Sequence, residues 1–271
     1  MRIASICPSN TEILHYLEAT QYLVAVDDFS DWPSSIQHIS KVGPDLNIDI
    51  DLLEEAKPDL VLASLSVPGM EKNIKKLEER KIPYIVLTPH RLMDIKHDIL
   101  KIGEAIGMKN KAEYLAEAFD EQIKLFQETS NKITEKPTLY WEWWPKPVFT
   151  PGRKNWLTDI SHLAGGNNIF HDINKESIQL SWDEVYRRNP DYICLVWVGV
   201  ETKKMNRDMV RNRPSWEQLT AIQKNRILIL EEWLFCRPSP RLLKGCLKLG
   251  KILHPHLYQS LSLLPPFQDE D

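Results

Sequence analysis

The residues best suited to chemistry in this chain are aromatic, and they sit beside turns. Phe29 and Trp32 lie in Asp28-Phe29-Ser30-Asp31-Trp32-Pro33, Trp141, Trp143, Trp144 and Phe149 surround Pro145-Lys146-Pro147, and Trp233 follows Glu231-Glu232. Nine Trp in 271 residues is a high count, and aromatic faces gathered where loops converge suit a flat, ring-bearing ligand. The run Trp141 to Trp144 also reads as an alternating strand with one side in the core. Phe29, Trp32, Phe149 and Trp233, next to turns, are the four expected to touch a ligand. His90 follows the apolar run 82–87 and would face the same region, where a neutral imidazole could ligate zinc, haem iron or cobalt. No second histidine accompanies it at metal-site spacing, so no metal site is assigned, and His254-Pro255-His256 is expected at the surface without a role.

Other chemistries lack their signatures. There is no G-x-G-x-x-G or Walker A motif for nucleotide phosphates and no G-x-S-x-G elbow for a nucleophilic serine. No two carboxylates are placed for a shared acid–base task, so no catalytic residue is assigned and the chain reads as a non-enzyme. The pair Gly165-Gly166 reads as a helix C-terminal turn. Cys7, Cys194, Cys236 and Cys246 form no CxxC pair, and buried free thiols are expected.

Composition supports a folded core, with 42% hydrophobic and 27% charged residues. The 34 basic and 38 acidic side chains are spread along the chain without a basic block, which excludes nucleic acid as a partner. No apolar run approaches the roughly 18 residues of a membrane span. The sequence opens on a strand, Met-Arg-Ile-Ala-Ser-Ile-Cys, with no charged and apolar leader before it. As written it reads as a cytoplasmic monomer, and as a periplasmic or membrane-associated protein if a leader was removed.

The elements that must position these residues alternate. Arg2–Cys7 is an apolar strand, and Ser9-Asn10-Thr11-Glu12 has the S-x-x-E form of a capping box opening a helix through about Leu17. Strands at 22–26, 60–63 and 82–87 and a helix over 69–80 continue the alternation, predicting a parallel sheet with ligands beyond the carboxyl ends of its strands. Between 110 and 133, Ala112, Leu115, Phe119, Ile123 and Phe126 recur at helical spacing, giving one long helix with a single apolar stripe. Strands at 138–143, 192–198 and 226–230 and helices near 156–164, 182–188 and 239–253 follow, and the tail 264–271 is expected to fray. The fold class is α/β: two small Rossmann-like lobes with parallel sheets, residues 1–109 and 135–271, joined by one bridging helix, 110–134.

In this order the segments Ser5-Ile6-Cys7-Pro8-Ser9-Asn10-Thr11-Glu12, Phe29-Ser30-Asp31-Trp32-Pro33, Lys57-Pro58-Asp59-Leu60-Val61, Phe149-Thr150-Pro151-Gly152, Leu163-Ala164-Gly165-Gly166-Asn167-Asn168-Ile169-Phe170 and Ser239-Pro240-Arg241 resemble the vitamin B12-binding members of the periplasmic binding protein family, and a signal-less subgroup of it closest of all. The resemblance implies a corrinoid, cobalamin-like ligand between the lobes, touched by Phe29 and Trp32 on one side and by Phe149, Glu232 and Trp233 on the other. It implies an ABC permease as partner, met by one acid per lobe, here Asp51 and Asp183 where the family pattern has the longer glutamate. At Ser64 and Ser177 it predicts ligand-facing aromatics that this chain lacks. The alternatives left open are haem, a ferric siderophore or a metal ion as ligand, and a cytosolic tetrapyrrole-handling enzyme or sensor.

Overall fold

The computed structural model describes residues 1–268. The amino-terminal lobe carries strands β1 (Ile3–Ser5), β2 (Leu23–Val26), β3 (Ser40–Lys41), β4 (Leu60–Ser64) and β5 (Tyr84–Leu87), all parallel in the order β3-β2-β1-β4-β5. Its helices are α1 (Pro8–Tyr16), α2 (Ile50–Glu55), α3 (Glu71–Arg80) and α4 (Leu92–Ala105). All three residues of the central β1 are buried, as a parallel strand covered on both faces requires. Helix α5 (Lys109–Ser130) follows, 22 residues and so about 33 Å long. It buries Ala112, Leu115, Phe119 and Phe126 along one stripe and packs against α4 of this lobe and α6 (Trp156–Leu163) of the next.

The carboxy-terminal part begins with β6 (Thr138–Glu142), β7 (Trp144–Pro145) and β8 (Val148–Pro151), and after α6 continues with β9 (Asn167–Asn168), β10 (Ser177–Leu180), α7 (Trp182–Arg188) and β11 (Tyr192–Leu195). The short helices α8 (Asp208–Arg211) and α9 (Thr220–Gln223) precede β12 (Ile227–Ile229), and α10 (Glu232–Phe235), α11 (Leu242–Leu253) and α12 (Pro255–Tyr258) close the chain. Strands β12-β11-β6-β9 form a second parallel sheet, and β10-β8-β7 a small antiparallel one. The antiparallel sheet was not expected, because β8 pairs with a half-polar strand, Ser177–Leu180, whose partner lies across α6 in sequence.

Three local expectations change. The capping box at Ser9–Glu12 does not form: Pro8, with its preset φ and no N–H, starts the helix directly after Cys7. His254 is buried with Nε2 2.9 Å from the Gly165 carbonyl oxygen, at the turn where Gly165 takes φ +83° after α6. The tail is packed rather than frayed as far as it is described, because the Phe267 ring is fully buried against Tyr16 and Phe119; residues 269–271 lie outside the described residues. Gly165 and Gly166 do make the expected helix-ending turn, their N–H groups donating to the carbonyls of His162 and Ser161.

One apolar core runs through Ile13, Leu14, Leu87 and Ile95 of the first lobe, Phe119 of α5, and Trp141, Leu157 and Leu243 of the second. The lobes are thus fused beneath any gap between them. Within this core α4 buries Asp98, whose Oδ2 has no hydrogen-bond partner among the described residues. Burial pushes its carboxyl up to about 7. A raised folded value means the stabilising contribution is full below the unfolded value near pH 4 and is lost as pH rises through about 7. Asp98→Asn is therefore expected to raise the melting temperature at pH 8 by a few degrees and to leave it unchanged at pH 4. Equal shifts at both pH values would contradict the assignment.

Candidate functional site between the lobes

Both parallel sheets aim the carboxyl ends of their strands at one gap, and contacts between lobes mark its two ends. At one end the loop after β2 meets the segment after β12: the Arg237 guanidinium donates to Asp31, Nη1 to Oδ1 at 2.6 Å. At the other end the loop after β5 meets the start of β10 and α6: His90 Nδ1 lies 3.3 Å from Glu176 Oε2, and Arg91 Nε donates to Asp159 Oδ2 at 2.8 Å. Phe29 sits in the loop after β2 on one lobe and Phe149 on β8 of the other.

The Phe29 lip is held by a buried carboxylate. Asp27, at the end of β2, accepts from the Phe29 and Ser30 N–H groups at 2.8 and 3.1 Å and from the Ser30 hydroxyl. Burial raises the Asp27 carboxyl to about 6, against the lowering effect of those hydrogen bonds. Lys41 Nζ donates to the carbonyls of Asp27 and Ser30, closing the loop from outside. The outcome is an exposed Phe29 ring, 49% accessible, on a fixed turn. On the other lobe, Trp144 and Phe149 are antiparallel partners on β7 and β8, and the Val198 N–H donates to the Trp143 carbonyl at 3.2 Å, bringing the exposed Val198 beside them. Phe149 is half-buried, while Trp144 and Val198 are exposed. Trp144 and Val198 extend the apolar lip beyond the residues expected from sequence. Tryptophan at 144 was visible as part of an aromatic run, but strand alternation hid which of its members faces out.

The floor at the β2 end is ionic. Glu12, 1% accessible, accepts from Arg241 Nη1 at 3.0 Å, from Arg237 Nη1 at 3.3 Å and from the Ser239 hydroxyl. Arg237 Nε also reaches Glu232 Oε2 at 3.3 Å. Burial pushes the Glu232 carboxyl up, aided by the nearby Glu12 and Asp31 charges and opposed by Arg237. Burial alone would weaken protonation of Arg237, but Glu232, Glu12 and Asp31 outweigh it and hold it charged. The Arg241 guanidinium lies 4.4 Å from the Trp32 ring centre and 4.1 Å from that of Trp233, between one tryptophan of each lobe.

The structure places the expected contact residues in different settings. Trp32 is only 7% accessible, wedged between His15, Tyr16 and Arg241, so its ring packs the lobe junction. Trp233 presents a face to Arg241 and Glu232 a carboxylate oxygen to Arg237. Phe29 is exposed and Phe149 half-buried. Asp51 lies on α2 and is paired with Arg80 at 2.6 Å, whereas Asp183 is exposed on the first turn of α7 with no ion pair among the described residues. Cys7, the residue before α1, is buried and its thiol pushed up to about 12 by burial and by Asp27, which disfavours the thiolate a nucleophile needs. Among the described residues no three His, Cys, Asp or Glu side chains come together to hold a metal ion, and no helix is long and apolar enough to cross a membrane.

Known proteins share this arrangement. The chain is 27% identical over 263 residues to the uncharacterized ABC transporter substrate-binding lipoprotein YvrC of Bacillus subtilis, covering 95% of this chain and 81% of that one. It is 25% identical to the vitamin B12-binding protein of Vibrio parahaemolyticus, covering 92% and 87%. Its fold matches the periplasmic heme-binding protein RhuT of Roseiflexus sp. RS-1 with a TM-score of 0.82 at 21% identity, covering 94% and 98% of the two chains. These relatives are named as binding proteins, and the chain is a binding protein rather than an enzyme. The sequence pattern of the periplasmic binding protein family matches residues 3–233, which takes in both sheets, the helix between them and the floor as far as Trp233, and the chain belongs to that family.

Proposed function

We propose that this protein binds a corrinoid of the cobalamin type in the gap between its lobes and hands it to an ABC transporter. The observation that carries the choice of ligand is the charge of the floor. Glu12, Asp31 and Glu232 outnumber Arg237 and Arg241, and both arginines are already paired. A corrin ring bears neutral amide side chains, whose N–H groups suit carboxylate-rich surroundings, while Phe29, Trp144 and Phe149 offer apolar faces to the macrocycle. Haem is the second reading, favoured by the likeness to RhuT. Its two propionates would find no unspent arginine on this floor, so the corrinoid is preferred.

Titration with cobalamin, cobinamide, haem and a ferric siderophore, followed by quenching of the nine tryptophans and by the visible spectrum, tests the reading. Saturable one-to-one quenching by the corrinoids is expected, weakened about tenfold in Phe149→Ala. Saturation by haem with a flat response to both corrinoids would transfer the assignment to haem. Delivery is assigned to Asp51 and Asp183, supported by the name of the Bacillus subtilis relative. Charge reversal of both (Asp51→Lys, Asp183→Lys) should abolish corrinoid uptake by cells while leaving the titration unchanged; undiminished uptake would remove these acids from the docking face.

A further inference from the structure

Every donor to the Glu12 carboxylate among the described residues comes from the other lobe: Ser239, Arg237 and Arg241. The carboxylate is 1% accessible and Ser239 fully buried, so moving the lobes apart at this point would strand a buried charge without a partner. The same movement would pull the Arg241 guanidinium from between Trp32 and Trp233, which belong to different lobes. The His90–Glu176 link at the far end of the gap differs in kind. Its side chains are 42% and 53% accessible, and an exposed pair of this sort holds little.

We propose that Glu12 and Arg241, with Trp32 and Trp233 stacked on the guanidinium, form a permanent clamp that fixes the spacing of the lobes whether or not ligand is present, making Arg241 a positioning residue for the gap. The buried Trp32 and the paired Glu232 then act on the ligand through the shape of the gap rather than by touching it. Arg237 extends the clamp outward to Asp31, whose side chain is 65% accessible. Phe29, two residues before Asp31, is thereby tied to the carboxy-terminal lobe through the same loop.

The ligand part of this inference rests on the reading that the solute sits between the lobes, and the experiment separates the two. Spin labels at Lys75→Cys and Lys203→Cys, exposed on the two lobes, report the interlobe distance in a Cys236→Ser background that removes the half-buried thiol. In the otherwise native protein the distance distribution should be narrow and unmoved by cobalamin. In Arg241→Ala it should broaden by several ångströms, and cobalamin affinity should fall at least tenfold. Arg241→Lys, which keeps the charge without the planar stacking surface, should fall between. A Leu249→Ala variant, cut in the core of α11 and matched in melting temperature, should keep both the native distance distribution and the native affinity. A native distribution in Arg241→Ala overturns the clamp. A broadened one in a protein that never bound cobalamin keeps the clamp and fails only the ligand.

Discussion

Arg213→Ala is expected to cost about 3–5 kcal/mol of folding stability in urea denaturation, because it breaks a buried ion pair from one side. Glu142, at the end of β6, is fully buried and accepts both Arg213 Nη groups, at 2.6 and 2.7 Å. The Tyr140 hydroxyl at 2.8 Å and Trp197 Nε1 at 3.1 Å supply its other hydrogen bonds. The guanidinium is itself stacked between Trp182 and Trp216, with ring centres 4.6 and 4.5 Å away. Truncation leaves a carboxylate with two neutral donors and opens a void between two indoles. Glu142→Gln keeps an acceptor for Tyr140 and should cost less. A loss below about 1 kcal/mol for Arg213→Ala would mean that the pair stabilises nothing.

This network also holds the gap. Val198, on the exposed lip, follows Trp197, and the long excursion from Val198 to Trp216 is anchored to the sheet through Arg213. An arginine in a polar loop, Asn212-Arg213-Pro214, gives no sign in sequence of a buried partner 71 residues earlier. The same limit explains the rest of what sequence left hidden. The alternation of strands and helices, the apolar stripe of α5 and the glycine turn after α6 are local patterns, written in periods of two, 3.6 or a single dipeptide, and they were legible. Glu12 and Trp32 were legible as types but not as roles. Ser9 to Glu12 satisfies the local capping rule, yet Pro8 starts the helix and Arg241, 229 residues away, claims the carboxylate. Trp32 beside a turn looks available until the same arginine covers its face. Phe29 is exposed and Phe149 half-buried, and no charged residue stacks on either ring among the described residues. The candidate site was therefore readable in residue type where it is a surface, and unreadable where it is a junction.

Gly245→Ala is expected to destabilise the protein by about 1–3 kcal/mol or more and, on the proposed function, to weaken corrinoid binding along with it. Gly245 lies in α11 at its closest approach to α10, and a Cβ there would stand 2.3 Å from the Leu234 carbonyl oxygen and 3.2 Å from both the Leu234 carbonyl carbon and Phe235 Cε1. Backbone cannot turn aside as a long side chain can. The Phe235 carbonyl is fixed besides, accepting from Trp156 Nε1 at 2.8 Å, so relief must come from shifting α10 as a unit. That helix carries Glu232 and Trp233 on its first turn, and with them one side of the Arg241 stack. Gly250→Ala provides the comparison: its Cβ would meet the Tyr258 ring at 2.3 Å, far from the gap, with the ring held by its hydroxyl on the Leu163 carbonyl. Both substitutions should lower the melting temperature, but only Gly245→Ala should lower affinity at temperatures where both variants remain folded. Equal affinities in the two would show that α10 can move without disturbing the gap, and would detach Trp233 from the control of ligand binding.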